Sequence, residues 1–207
     1  MITEAIRSGK IVLRLKRPED APDDYAWRSD GELSALDATT PLKQPYVQFL
    51  RSYEENLQFP SPWSQRFAID TLDGKHIGNC MCYDINEAYG EAEVGIMIGD
   101  RTCWNQGYGY HSMVGLIDYM FCGTSLRRLY LHTLEWNLRA QRSFEKCGFT
   151  PVRATQRNGY KFIRMDLSRD RWFQIRGEKF TELRQEQTVA ENEAPSPLSG
   201  QGTAPPS

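Results

Sequence analysis

Apolar and polar positions alternate strictly from Glu91 to Ile98. Ala92, Val94, Ile96 and Ile98 fall on one side, and Glu91, Glu93, Gly95 and Met97 on the other, which predicts a strand. Further on the period becomes helical: Tyr110, Met113, Val114, Ile117, Met120 and Phe121 make one apolar face. Between the two lies Trp104-Asn105-Gln106-Gly107-Tyr108-Gly109, whose alternate glycines permit a tight turn and a close approach of backbone to a ligand.

The same patterns organise the rest of the chain. Lys10–Leu15 predicts a first strand, and Asp20 a cap for a helix through Tyr25, Ala26 and Trp27. Leu36–Pro45 reads as irregular, Tyr46–Leu57 as a second helix, and Phe59-Pro60-Ser61-Pro62 as a loop. Arg66–Asp70 and His76–Asp84 flank the hairpin signal Asp73-Gly74, so these strands and Glu91–Ile98 form an antiparallel meander. Arg128–Leu134 is a strand reached through the helix, which suggests a crossover between parallel neighbours. Asn137–Lys146 is a helix closed by Gly148, and Thr150–Thr155 pairs with Tyr160–Leu167 around Asn158-Gly159. The expected fold is α/β: a mixed, mostly antiparallel central sheet of about seven strands flanked by helices. The expected divisions are a 1–8 extension, a 9–173 domain and a polar 174–207 extension, disordered from about residue 184, where Gln, Glu, Pro, Ser and Gly take over.

Composition narrows the function. The chain is 40% hydrophobic, enough for a sizeable core, and its net charge of −2 gives no electrostatic case for nucleic acid. No apolar run reaches membrane-spanning length, and Met1–Arg7 has no apolar signal core. Five cysteines without paired C-x-x-C units argue against zinc and predict buried, reduced thiols in a cytoplasmic protein.

A glycine turn opening a helix suits a phosphate, because the first helical N–H groups lack partners and carry the positive dipole end. A Rossmann fingerprint needs a third glycine where Ser112 stands, and a P-loop needs Gly-Lys-Ser/Thr where Tyr110-His111 stands. A second segment adds to the turn: Asn137-Leu138-Arg139-Ala140-Gln141-Arg142-Ser143-Phe144-Glu145-Lys146-Cys147-Gly148-Phe149. Together, in this order, the two segments resemble the GNAT superfamily of acyl-CoA-dependent N-acyltransferases, and most of all the branch with ribosomal-protein N-terminal acetyltransferases. The resemblance covers roughly residues 9–173.

It implies acetyl-CoA as co-substrate, no metal, and an amine acceptor, either a protein N-terminus or a small amine. No nucleic acid or membrane partner is expected, and the chain is expected to be a monomer or homodimer. The cofactor contacts implied are Ile96, Met97 and Ile98 on a splayed strand, then Trp104, Asn105, Gln106, Gly107, Tyr108, Gly109 and Tyr110, with Asn137 and Phe144 on the second helix. Asn137 is read two ways, as a pantetheine contact or as a helix cap. Two positions depart from the family pattern. Trp104 replaces the usual Arg or Gln, and Phe144 replaces a Tyr able to protonate the leaving thiolate.

Removing a proton from the amine calls for a base. Glu93 and His132, on neighbouring strands, are the catalytic candidates, the latter at a place where some relatives carry an acidic base. Each has a structural alternative: Glu93 as a half-exposed surface carboxylate, His132 as a packed histidine. His111 is expected at the surface. The departures at Trp104 and Phe144 leave a second functional reading, a non-catalytic acyl-CoA-binding sensor or partner-binding module.

Overall fold

The computed structural model describes residues 5–193, with side chains through residue 186. One sheet of eight strands runs through it, in the order β1-β2-β3-β4-β5-β6-β8-β7. The strands are β1 (Ile6–Ser8), β2 (Ile11–Leu15), β3 (Gln65–Thr71), β4 (His76–Asn86), β5 (Glu91–Ile98), β6 (Arg128–Leu134), β7 (Thr150–Arg157) and β8 (Tyr160–Ser168). The helices are α1 (Ala21–Ser29), α2 (Gly31–Leu36), α3 (Tyr46–Gln58), α4 (Tyr108–Gly123), α5 (Leu138–Lys146) and α6 (Arg169–Glu193). All neighbours pair antiparallel except β5 and β6.

The parallel pair decides the shape of the site. β5 meets β6 only at Glu91–Arg128, Ala92–Leu129 and Glu93–Tyr130. Beyond this, β6 continues on β8 through Leu134, while β5 continues on β4 through Ile98. The sheet therefore opens between the C-terminal half of β5 and β6. Helix α4 covers one face, and its residues from Tyr110 through Ile117 are all buried, as are Met120 and Phe121. Ala92, Val94, Cys80, Cys82 and Phe67 pack in the same core. Roughly 25 cal/mol per Å2 of apolar surface removed from water makes this helix–sheet layer the main source of stability.

Three expectations are corrected. The sheet has eight strands rather than about seven, because Ile6–Ser8, placed in an extension, pairs antiparallel with β2. That strand has three residues, too few to show a period. The stretch expected to be irregular is so from Asp37 to Pro45; just before it lies α2, a helix the pattern did not mark, whose N-terminus is capped by Asp30 accepting from the Leu33 N–H at 2.9 Å. The polar extension is a helix through Glu193: Trp172, Ile175 and Leu183 bury a sparse helical stripe, and the Trp172 indole donates to Asp118 of α4 at 3.1 Å. The expected disorder after 193 lies outside the described residues. Finally, four cysteines are buried but Cys122 is exposed; all five are free thiols. No helix among the described residues is long and apolar enough to cross a membrane.

Candidate active site

The opening beside β5 widens into a cleft of about 700 Å3. Its walls include Ile96, Met97 and Ile98, all of Trp104 to Tyr110, and Asn137 and Phe144. Every residue expected to contact the cofactor thus lies on one cavity. The strand period sorts the first three. The Gly99 N–H donates to Ile77 of β4 at 2.9 Å, so the Met97 N–H, two residues earlier, also faces β4. The N–H groups of Ile96 and Ile98 then face the opening, where no strand pairs with them. Met97 contributes wall rather than a free donor.

The turn is built differently from its glycine pattern. The left-handed positions are Asn105 (φ 60°) and Gly107 (φ 81°). Gly109 lies inside α4, which starts at Tyr108, earlier than the apolar face indicated. No side chain caps this helix end, so its first amides point toward the cleft. Trp104 fastens the turn: its Nε1 donates to the Ile98 carbonyl at 2.8 Å, and the Arg139 guanidinium lies 4.3 Å from its ring centre. The residue in place of the usual polar one therefore ties β5 to the turn and holds an α5 cation over the cleft.

On α5, Asn137 Oδ1 accepts from the Ala140 N–H at 3.2 Å, which is the capping role, and the residue also lines the cleft. Phe144 is buried and packs edge-on to Phe149. Arg139, Arg142 and Lys146 recur at intervals of three and four along the same helix and all reach the cleft. Sequence reading passed over these cations, although their spacing was visible.

Glu93 and His132 come together. The Glu93 Oε1 and His132 Nδ1 are 2.8 Å apart, and both side chains are almost fully buried. The surface-carboxylate alternative for Glu93 does not hold. Tyr83 is the cross-strand partner of Glu93, and burial, then the carboxylate, pushes its phenol up. Arg157 Nη2 approaches His132 Nε2 at 3.5 Å. The pair sits on the sheet face away from α4, four residues before Met97 on the same side of β5, and is not on the cleft wall itself.

Two carboxylates on the cleft were missed. Asp37, after α2, is accessible to solvent yet hemmed in by the concave wall, which pushes its carboxyl up against an opposing influence of Arg28. Glu186 reaches the cleft from α6, donated to by Lys146 Nζ at 2.6 Å and hydrogen-bonded to His111 Nε2 at 2.8 Å. His111, expected at the surface, is completely buried. Its Nδ1 accepts from the Lys10 backbone N–H at 3.1 Å, so the ring's proton lies on Nε2, facing Glu186. Burial holds this imidazole below its ordinary range. Glu186 stays below the usual carboxylate range: burial opposes this, but the bonds from Lys146 and His111 outweigh it.

The fold is shared with known proteins. A spermidine N-acetyltransferase from Vibrio cholerae, solved with CoA and spermine, superposes with a TM-score of 0.71 at 18% identity, over 79% of this chain and 98% of that one. An acetyltransferase of the GNAT family from Bacillus anthracis superposes with a TM-score of 0.68 at 12% identity, over 81% and 99% of the two chains. No curated protein matches by sequence. The model of the acetyltransferase (GNAT) domain matches residues 10–150, and the chain belongs to the GNAT family of acetyltransferases.

Proposed function

We propose that the protein is an acetyl-CoA-dependent N-acetyltransferase that moves an acetyl group to a primary amine by direct attack in a ternary complex. The observation that carries this is the opening of β5 from β6 onto a cleft whose other wall is the uncapped start of α4. The thioester supplies the activated acyl group. The Ile96 and Ile98 N–H groups offer donors where charge develops on a carbonyl oxygen. The amides opening α4, with Lys10 and Lys146, suit phosphates. His132, held in orientation by Glu93, accepts the ammonium proton through water, freeing the nitrogen lone pair to form the C–N bond as C–S breaks. The thiolate takes its proton from water or from the product, since Phe144 has none to give; an ordinary thiol pKa of about 8.5 makes that tolerable.

The acceptor is a protein N-terminus or a small amine. The resemblance to ribosomal-protein acetyltransferases favours the first, and the neighbour solved with spermine favours the second. Asp37, an accessible carboxylate beside the cleft, suits an ammonium in either case. The test follows CoA release from acetyl-CoA with peptide N-termini, polyamines and amino sugars between pH 7 and 9. Turnover on at least one amine is expected. Tight acetyl-CoA binding without turnover on any of them would establish the sensor reading instead.

A further inference from the structure

The seat that α4 offers to an anion is shared by a carboxylate of the chain itself. A Cβ built on Gly107 would stand 3.4 Å from Glu186 Oε2 and 3.6 Å from Lys10 Nζ. The carboxylate is held at the same time by His111 Nε2 and Lys146 Nζ. Helix end, imidazole N–H and two ammonium groups are the donor set that a phosphate would use. Glu186 belongs to α6, beyond the residues 10–150 that match the family domain, and the Vibrio cholerae neighbour leaves a fifth of this chain uncovered.

We propose that Glu186 is an internal competitor for the phosphate seat, giving way when the phosphates of acetyl-CoA arrive, so that α6 sets the affinity for the co-substrate. This rests on the acetyl-CoA reading above. The physical case has two sides. Two anions in one cationic seat repel, so one must leave or both bind weakly. The carboxylate can leave: Glu186 and Lys146 are 36% and 45% exposed, and an ion pair at that exposure is worth little. His111 stays buried with its tautomer fixed by Lys10, so its Nε2–H remains aimed at whichever anion fills the seat. Lys10, which faces both Lys146 and Glu186, has its ammonium disfavoured mainly by burial, and a doubly charged phosphate would favour it more than one carboxylate does.

The experiment titrates the full-length protein and its Glu186→Gln and Glu186→Ala variants with acetyl-CoA and with pantetheine, which has no phosphate. Calorimetry reads affinity and thermal melting checks the fold. Gln keeps the shape and the hydrogen bonds while losing the charge. Both variants are expected to bind acetyl-CoA about five- to tenfold tighter, with pantetheine affinity unchanged within about twofold. Equal or weaker acetyl-CoA binding by a folded variant would overturn the proposal, showing that Glu186 organises the seat rather than competing for it. A gain shared by pantetheine would overturn it too. A folded wild-type protein that binds no acetyl-CoA at all is a different result and defeats the underlying functional reading.

Discussion

The indole Nε1 of Trp104 donates to the Ile98 carbonyl at 2.8 Å, joining the glycine turn to the free edge of β5. Both are walls of the cleft, so the bond fixes the distance between the N–H groups of the strand and those that open α4. Trp104→Phe keeps a ring beside Arg139 and removes the donor. A single neutral hydrogen bond is worth about 1 kcal/mol, so the KM for acetyl-CoA should rise about fivefold, with kcat nearly constant. Steady-state kinetics at saturating amine checks this. An unchanged KM would show that the turn holds its place without the clasp.

Gly107 carries φ 81°, a conformation that costs a residue with a Cβ on the order of 1–3 kcal/mol. The added Cβ of Gly107→Val would also stand in van der Waals contact with Glu186 and Lys10, inside the phosphate seat. The loss is expected in acetyl-CoA binding, with a KM rise of about tenfold or more, while the KM for the amine stays within about twofold. Kinetics with each substrate varied in turn separates the two. Equal losses for both substrates would remove the turn from its role as a phosphate cradle.

Glu93 and His132 form one buried unit, so their replacements should not add. Glu93→Gln and His132→Gln are each expected to lower kcat about a hundredfold, and the double variant should be little worse than either. The ascending limb of the kcat–pH profile, which follows deprotonation of the base, should flatten in all three. A loss of thermal stability with an intact pH profile would leave the pair as packing alone. The same profile measured with an amine of lower pKa separates the protein's base from the substrate's own titration.

The sequence made the sheet readable where a period could be counted. β5 shows strict alternation, β3–β4 has Asp73-Gly74, and the last hairpin has Asn158-Gly159. Length and sparseness hid the rest. β1 has three residues and owes its place to pairing with β2 and to Ser8 Oγ donating to the His111 carbonyl at 2.7 Å. α6 looks like a tail because, among its described side chains, only Trp172, Ile175 and Leu183 bury in a long polar run. Its mean polarity outweighed the helical spacing of those three. The cofactor residues were legible because two local segments carry them. Glu186 and Asp37 were not, because tertiary contacts alone bring them to the cleft. His111 misled for a related reason: early in a helix, it looked exposed, but the Lys10 backbone and α6 close over it.

Away from the cleft, Asp24 of α1 is the hub of a buried polar cluster. It accepts from Lys16 and from Asn79 Nδ2 at 2.5 Å, and its Oδ1 lies 3.6 Å from His76 Nε2. Burial would raise its pKa, but the His76, Lys16 and Asn79 interactions outweigh it and hold the carboxyl at about 2. A depressed carboxylate contributes stability that is present above its unfolded pKa of about 4 and is lost as pH falls toward the folded value. The difference corresponds to about 2 kcal/mol, lost between roughly pH 4 and pH 2. Asp24→Asn should therefore lower the melting temperature clearly at pH 7, where it also leaves the Lys16 ammonium buried without its partner. The gap between wild type and variant should then shrink steadily below pH 4, because protonation gives the wild type the same neutral group. Melting curves from pH 7 down to the lowest pH at which both proteins stay folded measure that gap. A gap that stays constant across this range would mean that Asp24 titrates as an ordinary carboxylate and that the cluster holds α1 to the sheet by shape rather than by charge.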